Sequence, residues 1–201
     1  ALAAGDVIES VTVTGSITEV DTVANVPSAA VIMDGEEDVT SNYAITYENG
    51  TLAVTQTTRE LSIVANSNSW QYDSEFHSDG GYTVTYGEES YIVDAGESAT
   101  LSTGDVVTAT ITKTVKNVSE TATGNNEIVT LVVENQDQYR NIVTENGTLT
   151  ITPRPVTITA DSDSKEYDGT PLTKDSYTNS ALAAGDVIES VTVTGSITEG
   201  D

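Results

Sequence analysis

The sequence contains no cysteine, only seven lysines and arginines, and a single histidine among its 201 residues. Without cysteine the chain forms neither disulfides nor thiolate metal sites, so packing and backbone hydrogen bonds must supply its stability. A net charge of −25 disfavours nucleic acid and anionic membrane surfaces as partners, because binding to phosphate needs clustered basic residues. The excess of acid is typical of a solvated coat that keeps a long protein soluble.

Long apolar runs and helical patterns are also missing. No stretch approaches the roughly 18 apolar residues of a membrane helix, so we expect no membrane insertion. The chain starts with neither Met nor a leader pattern, and we interpret it as a soluble window cut from a longer protein.

Alternation with a period of two replaces the helical pattern. Apolar residues at Val7, Val11, Val13 and Ile17 alternate with serines and threonines, in a row that Glu9 and Gly15 interrupt. The same alternation recurs at Leu61, Ile63 and Ala65, at Tyr82, Val84 and Tyr86, at Val129, Leu131 and Val133, and at Val156, Ile158 and Ala160. This pattern is typical of half-buried β-strands.

Turn-forming residues separate these runs. The Asn-Gly pairs at Asn49 and Asn146 predict tight hairpins that join residues 43–47 to 51–55 and residues 142–144 to 148–152. Many short strands with regularly spaced turns predict an all-β protein.

The chain repeats itself. Residues 1–19 return letter for letter as residues 181–199, a period of 180 residues. A weaker match joins "ENGTLAVTQTTRELSIVANSNSWQYD" to "ENGTLTITPRPVTITADSDSKEYD", so two sibling modules alternate. We therefore predict a complete, divergent second-type module at residues 58–153, the C-terminal part of a first-type module at residues 1–57, and the N-terminal part of the next one at residues 154–201.

The first-type module resembles a known repeat family. "RPVTITADSDSKEYDGTPLT", "AAGDVIESVTVTGSITEVDT" and "DVTSNYAITYENGTLAVT" are similar to the YDG or MBG domains of large bacterial surface proteins. The second-type module, which has "WQYD" in place of "KEYDG", is more divergent. The resemblance implies an extracellular, cell-surface adhesin or fibre in which the modules form an elongated rod, and it brings no catalytic residues. For each module we expect an immunoglobulin-like sandwich first and a β-grasp-like fold second.

One constellation of side chains is a candidate metal site. Asp73, Glu75, His77 and Asp79 alternate, so an extended backbone would turn all four to one face and offer carboxylate and imidazole ligands. The alternative is that His77 is an ordinary exposed loop histidine, because the sibling module keeps only the aspartate.

Calcium is the other metal considered, at the acidic patches of residues 34–38 and 161–169. Neither patch has the ligand spacing of an EF-hand loop. We otherwise expect no cofactor.

The tandem organisation and the lack of a recognisable catalytic constellation favour a structural stalk over an enzyme. A ligand-binding adhesin module that recognises a glycan or a host protein is the alternative, and it would need a surface patch that the sequence does not show. For Trp70 the sequence leaves two positions open: it caps the core of its own module or packs against the preceding module.

Neighbouring copies of the repeat are the expected partners. Residues 1–57 lack the segment that precedes them in the family pattern, and the only copy of that segment lies at residues 154–180. We therefore expect strand complementation in which residues 154–180 of one chain complete residues 1–57 of the next, in a head-to-tail, open arrangement. Residues 181–201 duplicate the start of the acceptor and would compete for the same strand, so that the chain end folds locally as a partial module instead. The other alternative is that the next residues of a continuous polypeptide supply everything missing and no exchange occurs.

Overall fold

The protein is all-β, as the alternating pattern predicted. The computed structural model describes residues 1–199, which contain short strands and three single-turn 3-10 helices. The strands are β1 (Asp6–Thr14), β2 (Asp21–Asp34), β3 (Glu37–Asp38), β4 (Gly50–Val54), β5 (Thr57–Ala65), β6 (Asn68–Gln71), β7 (His77–Ser78), β8 (Tyr82–Tyr86), β9 (Glu89–Val93), β10 (Ala99–Thr100), β11 (Val106–Ile111), β12 (Thr114–Val115), β13 (Ile128–Val133), β14 (Tyr139–Glu145), β15 (Leu149–Thr152), β16 (Ile158–Ala160) and β17 (Tyr177–Asn179). The 3-10 helices are Thr40–Asn42, Val118–Glu120 and Gln136–Gln138.

The chain divides into two compact units. The first unit comprises Ala1–Leu61 and Glu134–Ile142, and the second comprises Ser62–Val133 and the chain from Val143 onward. The boundaries of these units differ from those inferred from the repeats, so the three predicted modules stay predictions. The choice between an immunoglobulin-like and a β-grasp-like module also stays a prediction.

The first unit is built around the long strand β2. Its C-terminal part pairs antiparallel with β1, and its N-terminal part pairs antiparallel with β4. A bulge interrupts the first pairing, because Ser10 lies opposite Val31 whereas Thr12 lies opposite Ser28. Ala29 adopts a left-handed φ of 50° in the bulge, and the backbone N–H of Ala30 donates to the Tyr47 hydroxyl at 2.9 Å. That hydroxyl supplies an acceptor at the irregularity in the ladder.

Several small sheets form the remainder of the fold. Strand β11 lies between β10 and β13, and a four-stranded sheet has the order β14-β5-β8-β9. Two-stranded pairs join β7 to β12, β6 to β15, and β16 to β17. The pair of β6 and β15 is parallel, while β16 and β17 are antiparallel.

The hydrophobic core lies mainly in the second unit. Its least exposed side chains are Ile63, Tyr82, Val84, Val107, Val115, Leu149 and Ile151. Of residues 1–57, all of which the structure describes, only Ile32 is buried. The predicted strands at Ile63 and Tyr82 therefore do bury one face, whereas the strand β1 exposes apolar side chains along its length.

Both predicted Asn-Gly hairpins are wrong. Strand β4 follows Asn49 but pairs with β2, and residues 43–47 form no strand. Strand β15 follows Asn146 but runs parallel to β6, with Leu149 opposite Asn68. Leu149 and Ile151 are almost fully buried in that position. Burial of these side chains against a distant strand outweighs the local preference of Asn-Gly for a tight turn.

Candidate functional sites on the two units

The structure brings two of the four predicted metal ligands together. His77 Nε2 lies 2.9 Å from Asp73 Oδ1, and the backbone N–H of Glu75 donates to the same oxygen at 3.0 Å. The N–H of Glu75, and after it the His77 ring, holds the pKa of the Asp73 carboxyl below its usual value. Ser74 has a φ of 72°, so the backbone bends between these residues. The extended backbone that the metal-site prediction assumed is therefore absent.

Asp79 is engaged in a different network. Its Oδ1 accepts hydrogen bonds from Asn66 Nδ2 at 3.1 Å and from the backbone N–H of Gly81 at 3.0 Å. Asn126, which is fully buried, donates to the backbone oxygens of Asn66 and Asp79 at 2.8 and 2.9 Å. Asp79 thus holds strand ends together. Over residues 1–199, the structure groups no three histidine, aspartate or glutamate side chains in a way that could hold a metal ion.

In the acidic patches considered for calcium, the carboxylates of Asp38, Asp161 and Asp168 accept local hydrogen bonds. Asp161 Oδ2 accepts from the Ser176 hydroxyl at 2.6 Å, and Asp168 Oδ1 accepts from Lys165 Nζ at 2.8 Å. The Lys165 ammonium, followed by Thr170, lowers the pKa of Asp168 to about 2. In the other patch, hydrogen bonds from Thr40 lower the pKa of Asp38.

Three ring side chains, Trp70, Phe76 and His77, lie within residues 70–77 beside the core. The rings of Trp70 and His77 stack with centroids 4.8 Å apart at an interplanar angle of 17°. Trp70 also packs against the buried cluster of Val115, Leu149 and Ile151, so it caps the core of its own unit. Phe76 is 71% exposed. An exposed ring of this kind can stack on a sugar or another apolar ligand.

An apolar groove lies on the first unit, on the sheet formed by β1 and β2. The groove has a volume of about 500 Å³ and is lined by Ala1, Leu2, Ile8, Ala30, Ile32, Tyr43, Ala44 and Ile45. Ile32 forms a buried floor, whereas Ile8 is 59% exposed. Tyr43 is held in place because its hydroxyl donates to the Asp6 carboxylate and accepts from the backbone N–H of Ala3. The hydrogen bond with Asp6 raises the pKa of Tyr43.

The second unit contains a related antiparallel strand pair, β11 and β13, in a buried form. Gly5 and Gly104 both have left-handed φ values, of 101° and 94°, and each precedes a strand that pairs antiparallel. Ile8 lies opposite Ile32 in the first unit, as Val107 lies opposite Val133 in the second. Val107 is fully buried. The two strand pairs therefore share a left-handed glycine before the first strand and an antiparallel pairing, and they differ in burial.

The duplicated sequence adopts two different conformations. Residues 6–14 form β1, whereas residues 186–194, which are identical to them, form no strand. The preceding turn is retained, because Asp6 N donates to Ala3 O at 3.2 Å and Asp186 N donates to Ala183 O at 3.1 Å. Sequence reasoning predicted a strand within residues 6–18 and did not locate the groove that this copy lines.

Comparison of the chain with protein-family models, with curated proteins and with solved structures finds no match. Within residues 1–199, no helix is long and apolar enough to span a bilayer.

Proposed function

We propose that this chain is a structural stalk or spacer repeat of an extracellular bacterial surface adhesin or fibre, and that it is not an enzyme. The observation that carries this proposal is the recurrence of an antiparallel strand pair after a left-handed glycine, first as β1 and β2 and again as β11 and β13, within a sequence that itself repeats. Repeats that contact mainly their neighbours lengthen a protein by simple addition, as a stalk requires.

Composition supports the same function. The surplus of 32 acidic over 7 basic residues makes neighbouring stalks repel each other and stay dispersed. The absence of cysteine leaves stability independent of redox conditions outside the cell. Backbone ladders and a packed core carry the stability instead, and they are also the elements that resist pulling.

Single-molecule stretching of the chain between its ends tests the proposal. We expect residues 58–153 to unfold in one discrete step that lengthens the chain by about 300 Å, since a stretched residue spans roughly 3.3–3.6 Å. The variant Ile63→Ala, which removes a core side chain, should unfold at lower force, whereas Ile92→Ala on the exposed face should not. Smooth extension without a force step would contradict a stalk.

A second function, a ligand-binding adhesin module, is favoured by the exposed ring of Phe76. Phe76 is 71% exposed, and Lys116 Nζ lies 5.2 Å from the centre of its ring. Arrays of glycans and host proteins separate the two functions, because the stalk predicts a blank array. Binding that is lost in Phe76→Ala and kept in Tyr167→Ala, a similarly exposed aromatic control, would favour the adhesin module.

A further inference from the structure

We infer that the apolar groove of the first unit is the docking surface for the hairpin β16–β17 of a second copy of this chain. The inference deepens the proposed function, because it names the joint between repeats, and it rests on that proposal in taking neighbouring repeats as partners. Four observations carry it: a complete version of the joint, an exposed donor, an open acceptor and a second strand pairing.

The complete version lies in the second unit. There the hydroxyl of Tyr82, in β8, donates to the backbone oxygen of Glu97 at 2.8 Å and reaches the backbone oxygen of Val107, in β11, at 3.4 Å. Ile63 in β5, the neighbour of β8, is 0% exposed, and Ala65 is buried as well. The strands β5 and β8 thus contribute buried side chains to the same core as the strand pair β11 and β13.

The donor is the hairpin β16–β17, which repeats β5 and β8 in sequence but leaves its apolar side chains more exposed. Ile63, Ala65 and Tyr82 recur at one constant spacing as Ile158, Ala160 and Tyr177. The backbone repeats as well, because Asn66 N donates to Gly81 O at 3.0 Å and Asp161 N donates to Ser176 O at 3.0 Å. Ile158 is nevertheless 47% exposed, and Ala160 is also exposed. The hairpin β16–β17 has the conformation of the buried pair without its cover.

The acceptor is the groove beside β1 and β2. Ile8 and Ile32 stand where Val107 and Val133 stand in the second unit, and Ile8 lines open space in place of a packed core. We therefore expect Ile158 to fill the groove and the Tyr177 hydroxyl to reach the backbone oxygen of Ile8 in the second copy.

A second contact fixes the register of the joint. Strands β6 and β15 pair in parallel, with Ser69 opposite Thr150. By the sibling alignment, Ser164 takes the place of Ser69 and Ala53, in β4, takes the place of Thr150. The docked hairpin therefore continues into residues 163–166, which run parallel to residues 52–55 of the second copy. Ser164 of one copy then lies opposite Ala53 of the other.

Disulfide trapping tests this register, since the chain has no cysteine of its own. Two single variants, Ala53→Cys and Ser164→Cys with a mass tag, are mixed and oxidised. Neighbouring strands lie about 4.7–4.9 Å apart, within the range of Cα separations that a disulfide bridges. We expect mixed dimers in several-fold excess over both homodimers. The double variant Ser69→Cys and Thr150→Cys is the positive control, because it should close the same parallel geometry within one chain.

The outcomes of trapping are decisive. If the control closes and mixed dimers do not exceed homodimers, the joint is wrong. If Ala53→Cys and Ser164→Cys placed in one chain close only within monomers, the chain completes itself and the second copy is not the partner. If trapping gives no mixed dimers but the stretched chain still unfolds in a discrete force step, the joint is wrong and the proposed stalk function is unaffected.

Sedimentation of the full chain over a range of concentrations tests the apolar contact. Ile158→Asp should weaken association at least about tenfold, because burying an isoleucine side chain is worth more than the free energy of a tenfold change in affinity. Ile92→Asp is the matched control, since Ile92 is exposed on β9 and has no place in the joint. Equal association of the wild-type chain and Ile158→Asp, or a strictly monomeric wild-type chain at high concentration, would overturn the inference.

Discussion

Alanine substitution at Ile63 and at Ile158 should have sharply different effects on the stability of the isolated chain. The two residues occupy the same position in sibling strands, but Ile63 is 0% exposed and Ile158 is 47% exposed. Removing a fully buried isoleucine costs about 2–5 kcal/mol of unfolding free energy, from lost transfer energy and the cavity left behind. The same change at a half-exposed position should cost at most about 0.5–1 kcal/mol, because most of the deleted surface already contacts water.

Urea unfolding followed by tryptophan fluorescence measures the difference. Trp70 is the only tryptophan and packs against the buried cluster of Leu149 and Ile151, so its emission reports on the second unit. With a urea dependence of about 2 kcal/mol per molar, Ile63→Ala should lower the midpoint by about 1–2.5 M. Ile158→Ala should lower it by less than about 0.5 M at protein concentrations too low for association.

Equal destabilisation by the two substitutions would refute this reasoning. It would mean that Ile158 is as buried in solution as Ile63, so that β16 already has its cover within a single chain. A midpoint for Ile158→Ala that approaches wild type on dilution, and falls below it at high concentration, would instead support docking between copies.

Three further predictions follow from local geometry. Gly147→Ala should destabilise the chain by several kcal/mol in thermal unfolding, because an added Cβ would lie 1.9 Å from a backbone oxygen, whereas Gly195→Ala, where nothing lies within 4 Å, should have little effect. By NMR, the Asp168 carboxyl should titrate near pH 2, and Lys165→Met should raise its pKa toward 3.8. The stabilisation supplied by the contact between Lys165 and Asp168 is present above about pH 3.8 and is lost as the pH falls through 2. A synthetic peptide of residues 181–199 should show no β-strand signal by circular dichroism, since it lacks a pairing strand; a strand signal at low concentration would contradict this.

Period-two alternation predicted the fold class and two of the buried strands. The residues around Ile63 and Tyr82 form β5 and β8 and bury the faces expected of them. The partners of strands were not predictable from local turns, because β15 gains more by burying Leu149 and Ile151 beside β6 than by folding back across Asn146.

The candidate site was less accessible to sequence reasoning than the fold. The metal-site prediction required an extended backbone from Asp73 to Asp79, and the left-handed Ser74 bends it. The N–H of Glu75 then binds the Asp73 carboxylate, which a pattern of alternating acids does not reveal. The sequence also did not predict the apolar groove, because its shape depends on which face of β1 no other element covers.

The nineteen duplicated residues separate what sequence determines from what tertiary structure decides. Both copies form the same turn, with left-handed glycines at Gly5 and Gly185 and the same backbone hydrogen bond across it. A turn of this kind closes its hydrogen bond within a few residues, so its sequence is sufficient. Only residues 6–14 become a strand, because β2 lies beside them and pairs with their backbone groups. A strand's hydrogen bonds belong to two segments at once, so identical residues are extended and paired in one place and irregular in another.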